Sequence, residues 1–132
     1  MFSYHTSIKL HHTDAAGVLF FAKQFQIVHD AYEAMLEKNN MLYRHFFDGD
    51  YALPIVHAET SYQQPLRVSD KITIHLTVEK IGNTSFTLKH TIKRFDTEDI
   101  VGEGKTVHVA VDFKKLVKIP LPEAIKNILS NI

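Results

Sequence analysis

The sequence predicts an α+β fold: a curved antiparallel sheet wrapped around one long helix. Three observations carry that expectation. Between about Phe20 and Lys38 the apolar residues step by four and three, the period of a helix with one buried stripe. On both sides of that segment the apolar residues alternate instead, the period of a half-buried strand. In the second half, short turn signals separate successive alternating runs, as in an antiparallel meander. At 132 residues the chain is long enough for one hydrophobic core and too short for two, so residues 1–132 form a single domain.

Each element follows in order. Phe2, Tyr4, Ile8 and Leu10 occupy alternate positions and predict a first strand with one buried face. A small-residue turn from Thr13 to Gly17 comes next. In the helix Phe21, Phe25, Val28, Tyr32 and Met35 form the apolar stripe, and Lys23, Gln26, Asp30, Glu33 and Glu37 take the other faces. Asn39-Asn40 is the expected stop. A short helical segment around Met41 to Phe47 is expected before the Asp48-Gly49-Asp50 turn.

Pro54 to Tyr62 reads as a strand ended by Pro65. Ile72, Ile74, Leu76 and Val78 alternate with Thr73, His75 and Thr77, and Gly82-Asn83 marks the turn after them. Ser85 to Phe95 returns with Phe86, Leu88 and Ile92 on one face, and Asp96 to Asp99 turns again. Ile100 to Phe113 is one long last strand, where Gly102 and Gly104 signal a bulge or a close backbone approach. A tail helix is expected from Pro122 to Leu129.

Composition narrows the function. Lys+Arg and Asp+Glu both count 15, so no net field points to nucleic acid or to an anionic membrane. With no cysteine there is no disulfide framework, thiolate nucleophile or thiolate metal site. Met1 to His12 lacks the continuous apolar stretch of a signal peptide, and no run approaches the roughly 20 apolar residues that span a bilayer. The expected location is the cytoplasm.

The chemistry centres on His12-Thr13-Asp14-Ala15-Ala16-Gly17-Val18-Leu19-Phe20-Phe21. One carboxylate, Asp14, sits in a turn just before a helix whose first amides lack partners and carry the positive end of the dipole. Such a pair suits attack on an acyl group, with Asp14 as nucleophile or as base for a water. Gly17 is the natural place for an unusual backbone angle that brings Asp14 toward the helix. Asp also caps helices with no catalytic role, and the Asp-x-x-Gly spacing alone does not separate the two readings.

The run Asp14 to Ala22, continued through His29-Asp30-Ala31-Tyr32-Glu33-Ala34-Met35-Leu36, resembles the active-site region of hotdog-fold acyl-CoA thioesterases of the 4-hydroxybenzoyl-CoA thioesterase type. Tyr51-Ala52-Leu53-Pro54-Ile55-Val56-His57-Ala58 and Tyr62 to Asp70 extend the likeness over nearly the whole chain. Gln24-Phe25, His29-x-Ala31-Tyr32-Glu33 and Leu53-Pro54-x-Val56-His57-Ala58 are similar to the 1,4-dihydroxy-2-naphthoyl-CoA branch. The resemblance implies a hotdog fold, hydrolysis of an acyl-CoA without a cofactor, and a homo-oligomer, dimer or tetramer, with sites between subunits. A small domain with a sheet edge to cover leads to self-association on physical grounds as well.

The resemblance makes Asp14 the catalytic carboxylate and puts the oxyanion donor at the backbone N–H of Phe21 or Ala22. Phe21 is expected to pack in the core or line the acyl pocket. His57 and His29 are the substrate-binding candidates, although relatives often carry Glu at the latter position, and each is also a plausible packing residue. Glu33, four residues past His29, is a weaker second carboxylate. His11 and His12 are expected on opposite strand faces, so no metal site is expected there. Arg67, Lys80, Lys89, Lys93 and Arg94 are the cations available for coenzyme A phosphates. Two other readings stay open: a dehydratase or hydratase, which needs a His paired with a carboxylate, and a non-catalytic acyl-CoA-binding or interaction module.

Overall fold

A computed structural model describes residues 1–41 and 49–132. In chain order it contains β1 (Phe2–Ser7), a single 3-10 turn (Leu10–His12), α1 (Phe21–Lys38), β2 (Tyr51–Ala52), β3 (Ile55–Tyr62), β4 (Lys71–Ile81), β5 (Ser85–Arg94), β6 (Ile100–Val109), β7 (Val111–Asp112) and α2 (Glu123–Ser130). Five strands form one antiparallel sheet in the order β1-β4-β5-β6-β3, while β2 and β7 pair separately. Register shifts interrupt β3/β6, β4/β5 and β5/β6; such bulges bend strands and curl a sheet around the helix it covers. No described helix is long and apolar enough to cross a membrane.

Cross-strand rows explain how the inner face is filled. Phe86 lies opposite His108, Leu88 opposite Thr106, His90 opposite Gly104 and Ile92 opposite Gly102. Those β6 residues in turn face Ile55, Ala58, Thr60 and Tyr62 of β3. Onto this face α1 lays Ile27, Val28, Ala31, Tyr32, Met35 and Leu36, all buried. Ile125, Ile128 and Leu129 of α2 join the same core.

The two glycines of β6 are the close approach that the sequence allowed for. A Cβ on Gly102 would stand 2.7 Å from Gln24 Nε2 and 2.9 Å from the Ser61 carbonyl oxygen. A Cβ on Gly104 would overlap the Glu59 carbonyl oxygen and press on the His90 ring. The vacant space holds a polar chain: Gln24 Nε2 donates to Thr60 Oγ1 (2.8 Å) and to the Ser61 carbonyl (2.9 Å), and Thr60 Oγ1 meets His90 Nε2 at 2.9 Å.

Several expectations are corrected. The first strand stops at Ser7, and Leu10 falls in the 3-10 turn, 76% exposed. The buried helix stripe begins at Gln24 rather than Phe21, which is 63% exposed with its ring against Phe20. The long last strand divides at buried Ala110, where the chain leaves the sheet and pairs Val111–Asp112 with Tyr51–Ala52. The helical segment expected around Met41 to Phe47 lies outside the described residues except for Met41, which is buried and not helical.

Arg94, a candidate phosphate cation, is committed elsewhere. It binds Asp70 (3.0 Å), the Pro65 carbonyl (2.7 Å) and Gln64 (3.3 Å), clamping the β3–β4 connection onto β5. On the convex side Lys105 pairs with Glu59 and Glu79.

Gly104→Ala therefore forces β3 away from β6. Overpacking of this kind costs about 1–3 kcal/mol. Urea denaturation should show a lower midpoint, and a variant as stable as the parent would contradict the close approach.

Candidate active site

The chain from His12 to Phe20 folds back on itself as a tight hairpin. Phe20 N–H donates to the His12 carbonyl (2.9 Å), Thr13 bridges Leu19, and Asp14 N–H donates to the Val18 carbonyl (3.0 Å). At the tip Gly17 N–H donates to the Asp14 carbonyl, 3.0 Å, with Gly17 at φ 78°. Nothing lies within 4 Å of where a Gly17 Cβ would sit, so the glycine is needed for its backbone angle and not for space. Leu19 N–H to the Leu66 carbonyl (2.7 Å) and a Val18–Arg67 bridge pin the hairpin to the domain.

Asp14 is exposed at this tip. Its Oδ1 accepts from Ala16 N–H at 2.9 Å, and its second oxygen has no partner among the described residues. The hairpin runs directly into α1. Two residue pairs of extended chain, about 7 Å, separate the Asp14–Val18 pair from Phe20.

Phe20 is the N-cap and offers no side-chain cap. Lys23 N–H bonds back to the Phe20 carbonyl (2.8 Å), while the N–H groups of Phe21 and Ala22 have no partner among the described residues. An uncapped first turn is a preformed site for a developing oxyanion. On its other side Tyr62 Oη donates to the Phe21 carbonyl at 2.8 Å, tying the helix start to β3.

One helical turn further, about 5.4 Å along the axis, begins a cavity between α1 and the sheet. Its volume is about 150 Å³, and Phe25, His29, Ala58, Leu88, His90 and His108 are among its walls. Apolar cavities of about this size accept a benzene ring. His90 and His108 are 1% exposed. His90 Nε2 meets Thr60, His108 Nε2 meets Thr106 Oγ1 (2.9 Å), and the His108 ring stacks on Phe86 at 4.6 Å.

Burial pushes the His90 imidazole down to about 4, slightly opposed by Glu103. It does the same to His108, also to about 4, against a Leu53 backbone interaction that raises it. Both rings are neutral at pH 7. The Tyr32 hydroxyl, raised by burial, His90 Nδ1 and His108 Nδ1 are buried without a hydrogen-bond partner among the described residues.

The hairpin thus carries Asp14 and Gly17 and runs into the helix start that holds the Phe21 and Ala22 amides, and His29 lines the cavity with its ring 5.6 Å from Tyr32. Other residues lie elsewhere. His57 is on the outer sheet face, 3.5 Å from exposed Glu59, because the β3 register shift between Ile55 and His57 leaves Ala58 and Thr60 facing inward. The Phe21 ring rests on Phe20 (4.8 Å) rather than in the core or the cavity wall. Glu33 is exposed.

His11 and His12 do not point to opposite faces. The 3-10 turn replaces strand alternation and sets their rings 4.2 Å apart at a 40° tilt, with His12 Nδ1 accepting from Lys9 N–H (2.9 Å). Among the described residues no three His, Asp or Glu side chains converge as a metal site. The His–carboxylate contact that a dehydratase would want is met there only by the solvent-facing His57–Glu59 pair.

The residues that sequence reasoning missed are Gln24, Thr60, His90 and His108. A signal existed for one of them: residue 90 shares the alternation of Phe86, Leu88 and Ile92, which puts its side chain on the inner face.

Comparison with known proteins agrees with this architecture. Residues 8–129 match the model of the thioesterase-like superfamily. A 1,4-dihydroxy-2-naphthoyl-CoA hydrolase from Rippkaea orientalis is 36% identical over 127 residues, covering 95% of this chain and 92% of the relative. One from Microcystis aeruginosa is 39% identical over 125 residues, with 94% and 89% covered. The crystal structure of a 1,4-dihydroxy-2-naphthoyl-CoA thioesterase from Synechocystis superposes with a TM-score of 0.93 at 27% identity, covering 99% of this chain and 96% of that one.

The two buried imidazoles set an acid limit. Their folded values near 4 lie below the unfolded value of 6.5, so unfolding takes up protons between those limits and stability falls as pH drops through the window. Each histidine withdraws up to about 1.4 kcal/mol per pH unit there. Urea midpoints measured from pH 7 to 4.5 should decline, and more shallowly in a His90→Phe variant; parallel curves would contradict the buried neutral assignment.

Proposed function

The chain belongs to the thioesterase-like superfamily, and from that premise we propose that it hydrolyses an aromatic acyl-CoA, with a hydroxylated naphthoyl group as its acyl portion. The observation that carries the mechanism is the half-partnered carboxylate of Asp14, on a hairpin that ends at an uncapped helix start one turn before an aryl-sized cavity. The thioester carbonyl oxygen sits at the Phe21 and Ala22 amides, which stabilise the charge it gains. Asp14 acts in its ionised form, either attacking the carbonyl to give a mixed anhydride with loss of the CoA thiolate, or taking a proton from the attacking water. Water is the only co-reactant, so no cofactor enters the reaction.

The aromatic preference draws on two supports: cavity size, and the 1,4-dihydroxy-2-naphthoyl-CoA named for the relatives above. Our reading also makes the protein a cytoplasmic homo-oligomer. Strand β3 is eight residues long and pairs on one side only, and every residue in it except Thr60 is exposed, including Ile55, Val56 and Tyr62. An edge this open is a template for a second chain. Ile55 is also part of the cavity wall, so a second copy on this edge borders the site.

Three measurements test the reading. Asp14→Asn keeps the side chain's size and removes its charge, so turnover should fall at least about 100-fold without loss of stability; near-normal activity would refute the role. Sedimentation at micromolar concentration should show a dimer or tetramer, and a fully active monomer would refute a shared site. Catalytic efficiency should be clearly higher for 1,4-dihydroxy-2-naphthoyl-CoA than for a medium-chain aliphatic acyl-CoA, and the reverse order would refute the aromatic assignment alone.

A further inference from the structure

The cavity behind α1 contains more polar hardware than an apolar pocket needs. Its walls are mostly hydrocarbon, yet His90 enters it with one ring nitrogen bound and the other unpaired, in a residue 1% exposed. A buried nitrogen without a partner is costly, of the order of 1–3 kcal/mol, and such groups in a native structure call for an explanation. His90 is itself a wall of a space large enough for an aromatic ring.

Thr60 Oγ1 accepts from Gln24 Nε2 (2.8 Å), and its own single proton has two acceptors in reach, the Glu103 carbonyl at 3.2 Å and His90 Nε2 at 2.9 Å. With that proton on the Glu103 carbonyl, His90 Nε2 is the donor to Thr60, and a neutral imidazole protonated at Nε2 carries a lone pair at Nδ1.

We propose that this cavity takes the hydroxylated ring of the acyl group and that His90 Nδ1 accepts a hydrogen bond from a ring hydroxyl. This rests on the aryl-CoA reading for the class of ligand, and adds the place and the residue that select for the hydroxyl. A ring lacking the hydroxyl leaves Nδ1 unpaired and is disfavoured, the asymmetry by which polar sites reject their deoxy analogues. The acceptor's neutrality near pH 7, a consequence of its burial, keeps the lone pair available. Phe25, edge-on to His90 at 6.3 Å, supplies an apolar wall for the ring plane.

The test is binding rather than turnover. Protein labelled with 15N-histidine is titrated with 1,4-dihydroxy-2-naphthoate and with 2-naphthoate. The hydroxylated ligand should bind at least about tenfold more tightly and should alone move the His90 Nδ1 resonance. His90→Phe should abolish the preference. If that variant does not fold, the wild-type resonance decides. Equal affinities, or a His90 signal unmoved by the hydroxylated ligand, overturn the proposal. Thioester hydrolysis assayed in parallel separates the two readings: activity with a silent His90 overturns this inference alone, and a responsive His90 in a protein that cleaves no acyl-CoA supports it while overturning the thioesterase assignment.

Discussion

The missing side chains at Gly102 and Gly104 are the constraint on which the rest of the structure depends. Removing two Cβ atoms from the inner face of β6 lets the Gln24 side chain reach the Ser61 carbonyl and leaves the His90 ring room above the strand. Gln24 is 2% exposed, so its amide must be bonded, and its Nε2 donates to two partners on β3. Helix, central strand and edge strand are thus joined by hydrogen bonds at one point. Leu88, Ile92 and the α1 hydrocarbons pack on either side of it. Next to that junction lies the cavity, of which His90 is a wall. An apolar core alone would specify the layers; the polar junction specifies the register between them.

Much of this was legible in the residues. Period-2 alternation located β4 and β5 because both strands bury one face against a single helix, and the 3.6-period stripe located α1. The glycine pair of β6 announced a close approach, and the approach is there. What failed did so for local reasons. Leu10 and His12 look like strand positions, but the chain turns at Leu10–His12, and alternation carries no information through a 3-10 turn. His57 looked inward until a register shift reversed the parity of β3. Phe21 continued the apolar stripe by its spacing, but its ring lies on Phe20 at the exposed helix start. The turn that carries Asp14 and Gly17 was legible because turn chemistry is local. The Thr60–His90 contact spans 30 residues, and only the folded sheet brings it about.

The site also departs from what stability alone would select. A helix beginning with Phe as its N-cap forgoes a favourable side-chain cap, generally worth about 1 kcal/mol. Two neutral imidazoles in a hydrocarbon setting add an acid-sensitive burden. Both departures lie beside α1, one at its first turn and the other in the strands that wall the cavity it covers. Sequences that break local rules in one contiguous region do so where function sets the terms.

The Tyr62 hydroxyl has a role that its distance from Asp14 conceals. The Phe21 carbonyl that it binds belongs to the same rigid peptide unit as the Ala22 N–H. A donor on the oxygen of that unit draws electron density toward the carbonyl and leaves the N–H more positive, while anchoring the tilt of the plane. The edge strand therefore reaches the far side of this first-turn amide through a single peptide group. Aim and acidity of one backbone donor are set by a tyrosine on another element, as a strut behind a mirror sets where the light falls.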